Sequence, residues 1–218
     1  MMDTTYFGKS IGVMLFKDAH SKKNIYWKYV RHENLQEYIS GINYIKNLGF
    51  QIEGIVCDGK KGLFQAFDVP VQMCQFHQAA IVRRYITKNP RMDASKELKK
   101  IMSLLPNTDK ESFTGVLDMW FDKWKLFLKE RTTNHETGKS FFTHKRLRSA
   151  YHSVKRNLKW LFTWYDHLEL NIPNTNNVLE GTFTHLKNKL RNHNGLNLDN
   201  KKKFIDEFFQ AYNEMNNE

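Results

Sequence analysis

The sequence predicts an α/β protein in which a mixed sheet is flanked by helices and followed by an all-helical block. Three observations carry that prediction. Strand-like and helix-like patterns alternate through the first ninety residues. After Pro90 the strand signals stop and long amphipathic helical periodicity takes over. Finally, 40% hydrophobic and 14% aromatic residues over 218 positions, with only four prolines, suffice for the core of one domain and exclude global disorder.

Each element has its own signal. Residues 1–6 read as an opening strand that carries Asp3. The apolar run 11–16, a polar turn and the β-branched and aromatic run 25–30 read as a hairpin. Leu35, Tyr38, Ile39, Ile42, Ile45 and Leu48 recur at steps of three and four between Asn34, a candidate N-cap, and Gly49, so 34–48 is a helix. Residues 52–57 form a strand that stops at Asp58-Gly59, 60–67 a short helix, 69–74 another strand and 76–87 a helix. Hairpin-linked strands followed by helix-connected ones suit a mixed sheet, and the order 3-2-1-4-5 would set the first strand beside the fourth.

Beyond Pro90, Thr108-Asp-Lys-Glu111 has capping-box spacing, and Phe113, Val116, Leu117, Trp120, Phe121, Trp124, Phe127 and Leu128 mark a helix ending near Arg131. Residues 132–140 read as a loop and 144–165 as a second long helix, with Leu147, Tyr151, Val154, Leu158, Leu161 and Phe162 on its apolar side. A further helix begins near Glu180 and runs to about Arg191. The expected organisation is therefore an α/β core over 1–90 and 170–218, with an all-α insertion over 91–169.

Charge narrows the partner. Thirty-four Lys and Arg against 23 Asp and Glu leave a net charge of +11, which favours a polyanion. Ten of those eleven net charges fall in two segments. Residues 144–159 hold Lys145, Arg146, Arg148, Lys155, Arg156 and Lys159 with no acid, and 174–203 carry a net +4. Cations interleaved with Tyr151, Trp160 and Trp164 could grip a nucleic-acid backbone and stack a base, although aromatics at helical spacing are more often core. Two cysteines, Cys57 and Cys74, make no disulfide framework and point to a reducing cytoplasm. No apolar run approaches the ~20 residues of a membrane span, and the N-terminus lacks the pattern of a signal peptide.

Three carboxylates stand out: Asp3 in the first strand, Asp58 just after an apolar strand, and Glu180 at a helix start. With the first and fourth strands adjacent, Asp3 and Asp58 can converge and Glu180 can close the cluster from a packed helix. Such a cluster suits hard divalent cations, and two of them about 4 Å apart stabilise both the attacking and the leaving oxygen of a phosphodiester displacement. Carboxylates in these positions also commonly only cap or solvate. On the helix of Glu180, Thr184, Lys187 and Arg191 share its face, as a scissile phosphate would require. Cys74-x-x-His77 has the spacing of half a zinc site, but structural zinc takes four ligands. Cys74 as a small core residue with His77 at a helix start is the plainer reading.

Together, Met2-Asp-Thr-Thr-Tyr-Phe-Gly8, Gly54-Ile-Val-Cys-Asp-Gly59, Gln72-Met-Cys-Gln-Phe-His-Gln78 and Asn174-Thr-Asn-Asn-Val-Leu-Glu-Gly181 resemble the DDE transposases of bacterial insertion sequences, in the Mutator-like branch. The resemblance implies a ribonuclease-H-like fold, a Cys-x-x-His motif after the second Asp and an all-α insertion before the Glu. It also implies Asp3, Asp58 and Glu180 as ligands of two Mg²⁺ ions, with Mn²⁺ able to substitute. The implied reaction is cleavage at transposon ends followed by transfer of the 3′-hydroxyl into target DNA. Cys74, His77 and Arg84 then support the site, with His77 on a DNA phosphate or a metal-bound water. Helix face and charge make Thr184, Lys187 and Arg191 with Lys145, Arg148 and Arg156 the expected contacts to double-stranded DNA, and the resemblance makes a dimer on DNA in a nucleoid-associated setting the expected assembly.

Members of that family usually carry a DNA-binding domain before the first Asp. None precedes Asp3 here, so the expectation is a catalytic core without its recognition domain. The competing expectation is a catalytically silent fragment that binds DNA. A stand-alone ribonuclease-H-like nuclease fits less well, because it has no need of the helical insertion.

Overall fold

The computed structural model describes residues 1–8, 11–193 and 195–215. Strands β1 (Met2–Phe7), β2 (Ile11–Lys17) and β3 (Asn24–Val30) form an antiparallel sheet with β2 in the middle. Every residue of β2 is buried, because both faces are covered. Met14 and Phe16 pack toward α1 (Leu35–Asn47), whereas Val13 and Leu15 pack toward α7 (Asn177–Arg191) and α8 (Leu198–Met215). Helix α1 starts where expected, with the Asn34 side chain accepting the Glu37 N–H at 2.9 Å, and Gly49 turns the chain beyond its end at φ +90°. A Cβ on Gly41 would collide with the Phe16 ring, so the absence of a side chain there lets α1 lie directly on the sheet.

A second, parallel ladder pairs β4 (Ile55–Cys57) with β5 (Val71–Met73). Strand order is thus β1-β2-β3 in one sheet and β4-β5 in another. Strand β1 runs beside β4, but among the described residues no ladder joins them, so a continuous 3-2-1-4-5 sheet is met only as two separate halves. The molecule is mixed α/β with small sheets. The expected helix over 60–67 shrinks to a single 3-10 turn, Leu63–Gln65, because Gly62 is left-handed at φ +92° and breaks the α-helical path.

Helices α2 (Gln75–Ile86), α3 (Asp93–Leu104), α4 (Lys110–Lys129) and α5 (Lys145–Leu161) share one apolar core, centred on Leu98, Phe113, Leu117, Trp120, Leu147 and Val154. Met73, Val82 and Ile86 belong to that core too, so α2 serves the helical block as well as the sheet. Three details differ from the sequence pattern. The N-cap of α4 is Asp109, whose Oδ1 accepts the Ser112 N–H at 2.7 Å, one residue beyond the expected box. The loop expected over 132–140 holds a hairpin, β6 (Arg131–Thr133) with β7 (Ser140–Phe142), turned by Gly138 at φ +65°. Its strands lie almost wholly in solvent, so no burial alternation announces them.

The expected single helix over 144–165 breaks at Phe162 into α5 and α6 (Thr163–Asp166). There the Thr163 hydroxyl donates to the Val71 carbonyl at 2.9 Å and the Trp164 N–H donates to Gln72 Oε1 at 2.9 Å. Tertiary bonds to β5 therefore override the helical periodicity. Helix α8, which the pattern leaves out, buries Ile205 and Phe209 over β2 and ties to β3 through Trp27, whose indole N–H donates to Asp206 at 2.7 Å.

Candidate active site

Asp58 and Cys74 directly follow the carboxyl ends of the parallel strands β4 and β5, where open α/β sheets generally place their sites, and Asp3 and Glu180 lie near enough for their charges to interact. Asp3 pairs with Leu15 across the β1–β2 ladder, so both side chains lie on one face, and Leu15 packs under Leu179 and Phe183 of α7. That register turns Asp3 toward the helix of Glu180. Asp58 follows the last residue of β4 and is fixed by its own turn, with Oδ1 accepting the Lys60 N–H at 3.0 Å.

Two bonds bring α7 in from far along the chain. The Gln75 N–H donates to the Asn174 carbonyl at 3.0 Å, and the Asn176 N–H donates to Cys74 Sγ at 3.4 Å. The first turn of α7 is thereby fastened to the junction of β5 and α2, and Glu180 faces His77, with Oε1 3.5 Å from Nδ1. The ligating atoms of Cys74, His77 and Glu180 all lie within 4.8 Å of one another.

Electrostatics reports the same convergence. Burial pushes the Asp3 carboxyl up to about 7; the Thr4 N–H opposes this, and repulsion from Asp58, Glu180 and Glu33 adds to it. Burial also raises Asp58, countered by the Lys60 N–H, reinforced by Glu33 and relieved by His77 and Lys60. The Cys74 thiol is pushed up by burial as well, against the N–H groups of Asn176, His77 and Phe76. A thiol so held is a poor nucleophile.

Glu33, between β3 and α1, is a fourth carboxylate that the sequence reading passes over. Its Oε1 accepts the Tyr38 hydroxyl at 2.8 Å and lies 3.4 Å from Lys60 Nζ, and Tyr38 in turn meets Thr4 Oγ1 at 3.0 Å. Its only signal in the sequence is an acid just before a helix cap, a position that acids occupy in many helices.

The orphan atoms cluster here. Of the eight buried side-chain atoms without a hydrogen-bond partner among the described residues, five belong to Gln75, His77, Asn176 and Glu180. Native structures leave few such atoms, so a cluster needs an explanation. Carboxylate oxygens in three positions, one of them such an orphan, fit a hard divalent cation, whose charge would relieve the repulsion that burdens Asp3 and Asp58.

The remaining predicted residues divide into two groups. Thr184 is exposed and Lys187 half-buried, one and two turns beyond Glu180 on α7; Arg191 is exposed, its Nη1 3.4 Å from Asn188 Oδ1. On the helical block, Lys145, Arg156 and Arg84 are exposed. Arg148, by contrast, is committed within the fold. Its guanidinium lies over the Phe142 ring, 3.8 Å from the centroid, and donates to the Leu128 carbonyl at 3.0 Å. Lys155 is 2.6 Å from Asp118, and the Arg146 guanidinium donates to the Arg84 carbonyl. The aromatics are core: Tyr151 is buried against Trp120 and Phe121, and Trp160 stacks on Phe64 at 4.4 Å between centroids.

No helix among the described residues is long and apolar enough to cross a membrane. Compared with family models, with curated proteins and with solved structures, the chain matches none of them.

Proposed function

We propose that this chain is the catalytic core of a DDE-type transposase, a metal-dependent polynucleotidyl transferase with a ribonuclease-H-like fold. The reading is supported chiefly by the repulsion that Asp58 and Glu180 exert on buried Asp3, although the three lie 55 and 122 residues apart in the sequence. The antiparallel β1-β2-β3 sheet, the parallel β4-β5 pair and the run of β1 beside β4 support the order 3-2-1-4-5 that such a fold requires. The helical block between β5 and α7 supports the insertion.

In this reading Asp3, Asp58 and Glu180 hold two Mg²⁺ ions, or Mn²⁺ in their place. Such ions, when bound, neutralise charge on the attacking and leaving oxygens of a phosphodiester displacement. The chain's own groups do the rest. Asp3 is held by the β1–β2 ladder, and Asp58 by the turn that follows β4, where its Oδ1 accepts the Lys60 N–H. His77, with Nδ1 3.5 Å from Glu180 Oε1, stands beside that carboxylate for a DNA phosphate or an ion-bound water. Thr184 and Lys187, farther along the same helix face, are placed for phosphate oxygens of double-stranded DNA, both transposon end and target. Exposed Arg84, Lys145, Arg156 and Arg191 extend the contact, and a dimer on DNA would bring two ends together.

The test is a joining assay. The purified chain is incubated with Mg²⁺ or Mn²⁺, a short duplex bearing a free 3′-hydroxyl, and supercoiled plasmid as target. Metal-dependent nicking and joining that vanish in Asp58→Asn and Glu180→Gln are expected. DNA binding with neither nicking nor joining in either metal would overturn this reading in favour of a silent DNA-binding protein.

A further inference from the structure

The sequence offers Cys74-x-x-His77 as two zinc-type ligands lacking the rest of a site. The fold supplies a third from more than a hundred residues away. Glu180 arrives because Asn174 and Asn176 are bonded to the β5–α2 junction, and its Oε1 faces His77 Nδ1 at 3.5 Å, with Cys74 Sγ completing a triangle no wider than 4.8 Å.

We infer that Cys74, His77 and Glu180 form a binding site for a thiophilic divalent ion of the zinc class, and that an ion there withdraws Glu180 from the carboxylate cluster. The second half rests on the proposed function; the first does not.

Geometry favours the site. A tetrahedral ion with bonds of about 2.0–2.3 Å holds its ligand atoms roughly 3.3–3.8 Å apart. The His77–Glu180 edge already has that length, and the widest edge exceeds it by roughly 1 Å, within reach of side-chain rotation. Both His77 Nδ1 and Glu180 Oε1 are buried atoms without a hydrogen-bond partner, so neither must break a bond to ligate. The Asn176 N–H already points at Cys74 Sγ, as outer-shell donors do toward metal-bound thiolates. Binding deprotonates the thiol and releases its proton to solvent, and the new charge is matched by the ion.

Donor type separates this site from the carboxylate cluster. One sulfur, one imidazole nitrogen and one carboxylate oxygen select zinc or cobalt over magnesium, whereas Asp3 and Asp58 offer only oxygen. Glu180 is the single side chain common to both. Three protein ligands leave a fourth position open, so the bound ion is exchangeable.

Two measurements test the inference. The magnesium-free full chain is titrated with Co²⁺ and followed by absorption. A thiolate-to-cobalt charge-transfer band saturating at one equivalent is expected, kept in Cys57→Ser and lost in Cys74→Ser. His77→Gln and Glu180→Gln, each near the surface and tolerable to the fold, must also lose it. Absence of the band in the parent chain overturns the site, as does a band indifferent to His77 and Glu180. In the joining assay, Zn²⁺ added over Mg²⁺ should inhibit. The zinc concentration that halves the rate should rise at least tenfold in Cys74→Ser, measured against that variant's own uninhibited rate. Inhibition unchanged by that substitution overturns the sharing of Glu180. A chain that joins no DNA at all refutes the proposed function alone, and the cobalt band still decides the site.

Discussion

Helix α2 separates two polar regions built on opposite principles. On its inner side runs a seam of neutral side chains that ties β5 and α2 to α5 and α6. Gln72 Nε2 donates to the carbonyls of Met73 and Leu161 at 2.6 and 3.0 Å, and its Oε1 accepts the Trp164 N–H. Asn157 donates to Gln78 Oε1 at 2.8 Å, while Gln78 Nε2 donates to Ser153 Oγ at 3.1 Å. At its N-terminal end, Cys74 and His77 face Glu180, whose buried Oε1 lacks a partner as His77 Nδ1 does, and the charges of Glu180 and Asp58 bear on buried Asp3. The seam is arranged for stability, since a paired buried amide costs little and fixes a unique packing. The carboxylate end is arranged against it, and such local cost is expected where a site must receive a charged ligand.

That contrast breaks most sharply in activity. If the proposed function holds, Asp58→Asn and Glu180→Gln lower metal-dependent joining by at least about a thousandfold, because each removes a charge that would hold the cations. Thermal melts of the same metal-free variants should be unchanged or higher than those of the parent. A melting temperature that falls along with activity would mean that these carboxylates are part of the scaffold.

The seam should behave in the opposite way. Gln72→Leu preserves volume but leaves the Trp164 N–H and the Leu161 carbonyl with fewer partners inside the protein. A loss of about 3 kcal/mol in urea unfolding is expected, from two or three lost bonds and one stranded donor. A loss below roughly 1 kcal/mol would show that the seam is incidental to the packing of α5 on β5.

Acidity sharpens the comparison further. Asp3 titrates at about 7 in the fold against an ordinary 3.8. Between those values the folded chain binds more protons than the unfolded one, so the stability of the metal-free protein falls as pH rises from about 4 to about 7 and is level above. Asp3→Asn removes that slope while keeping an oxygen for the Thr4 N–H. The variant should match the parent near pH 4 and exceed it at pH 8 by up to about 2 kcal/mol, less than the full shift implies because solvent reaches the site. Urea titrations in chelator at the two pH values measure this. Equal stability of parent and variant at pH 8 would show that Asp3 is not strained.

The sequence made the two regions unequally legible. Asp58 and Glu180 stand out because a carboxylate right after an apolar strand, or on a helix with a cationic stripe, departs from the surrounding pattern. Asp3 depended on register, since only the pairing with Leu15 turns it toward α7. The Cys74–His77–Glu180 triangle was legible only in its parts: spacing marked Cys74-x-x-His77 and position marked Glu180, but their meeting depends on the backbone bond from Gln75 to Asn174, which no periodicity encodes. Glu33 was hidden for a similar reason, because only its tertiary neighbours Tyr38 and Lys60 distinguish it from other acids before a helix. In the helical block, amphipathic spacing revealed α4 and α5, while the break at Phe162 and the solvent-facing β6–β7 hairpin came from tertiary bonds and turn geometry.

Counting charges, finally, could not tell a cation used for folding from one offered to a partner, and α5 holds both kinds. Arg148 stacks on Phe142 and caps the Leu128 carbonyl, so Arg148→Ala should loosen the β6–β7 hairpin and cost about 1 kcal/mol. Arg156 is exposed on the same helix, and Arg156→Ala should leave stability within about 0.5 kcal/mol. In DNA binding the order reverses. Loss of one phosphate contact should reduce the salt dependence of affinity by about one unit of slope for Arg156→Ala, with a smaller change for Arg148→Ala. Fluorescence anisotropy of a labelled duplex over a salt series, set beside urea melts of both variants, reads the two effects separately. If Arg148→Ala lost the larger slope, its stacking on Phe142 would be a resting position from which the guanidinium swings out to DNA, and the helical block would offer more of its charge than the folded contacts suggest.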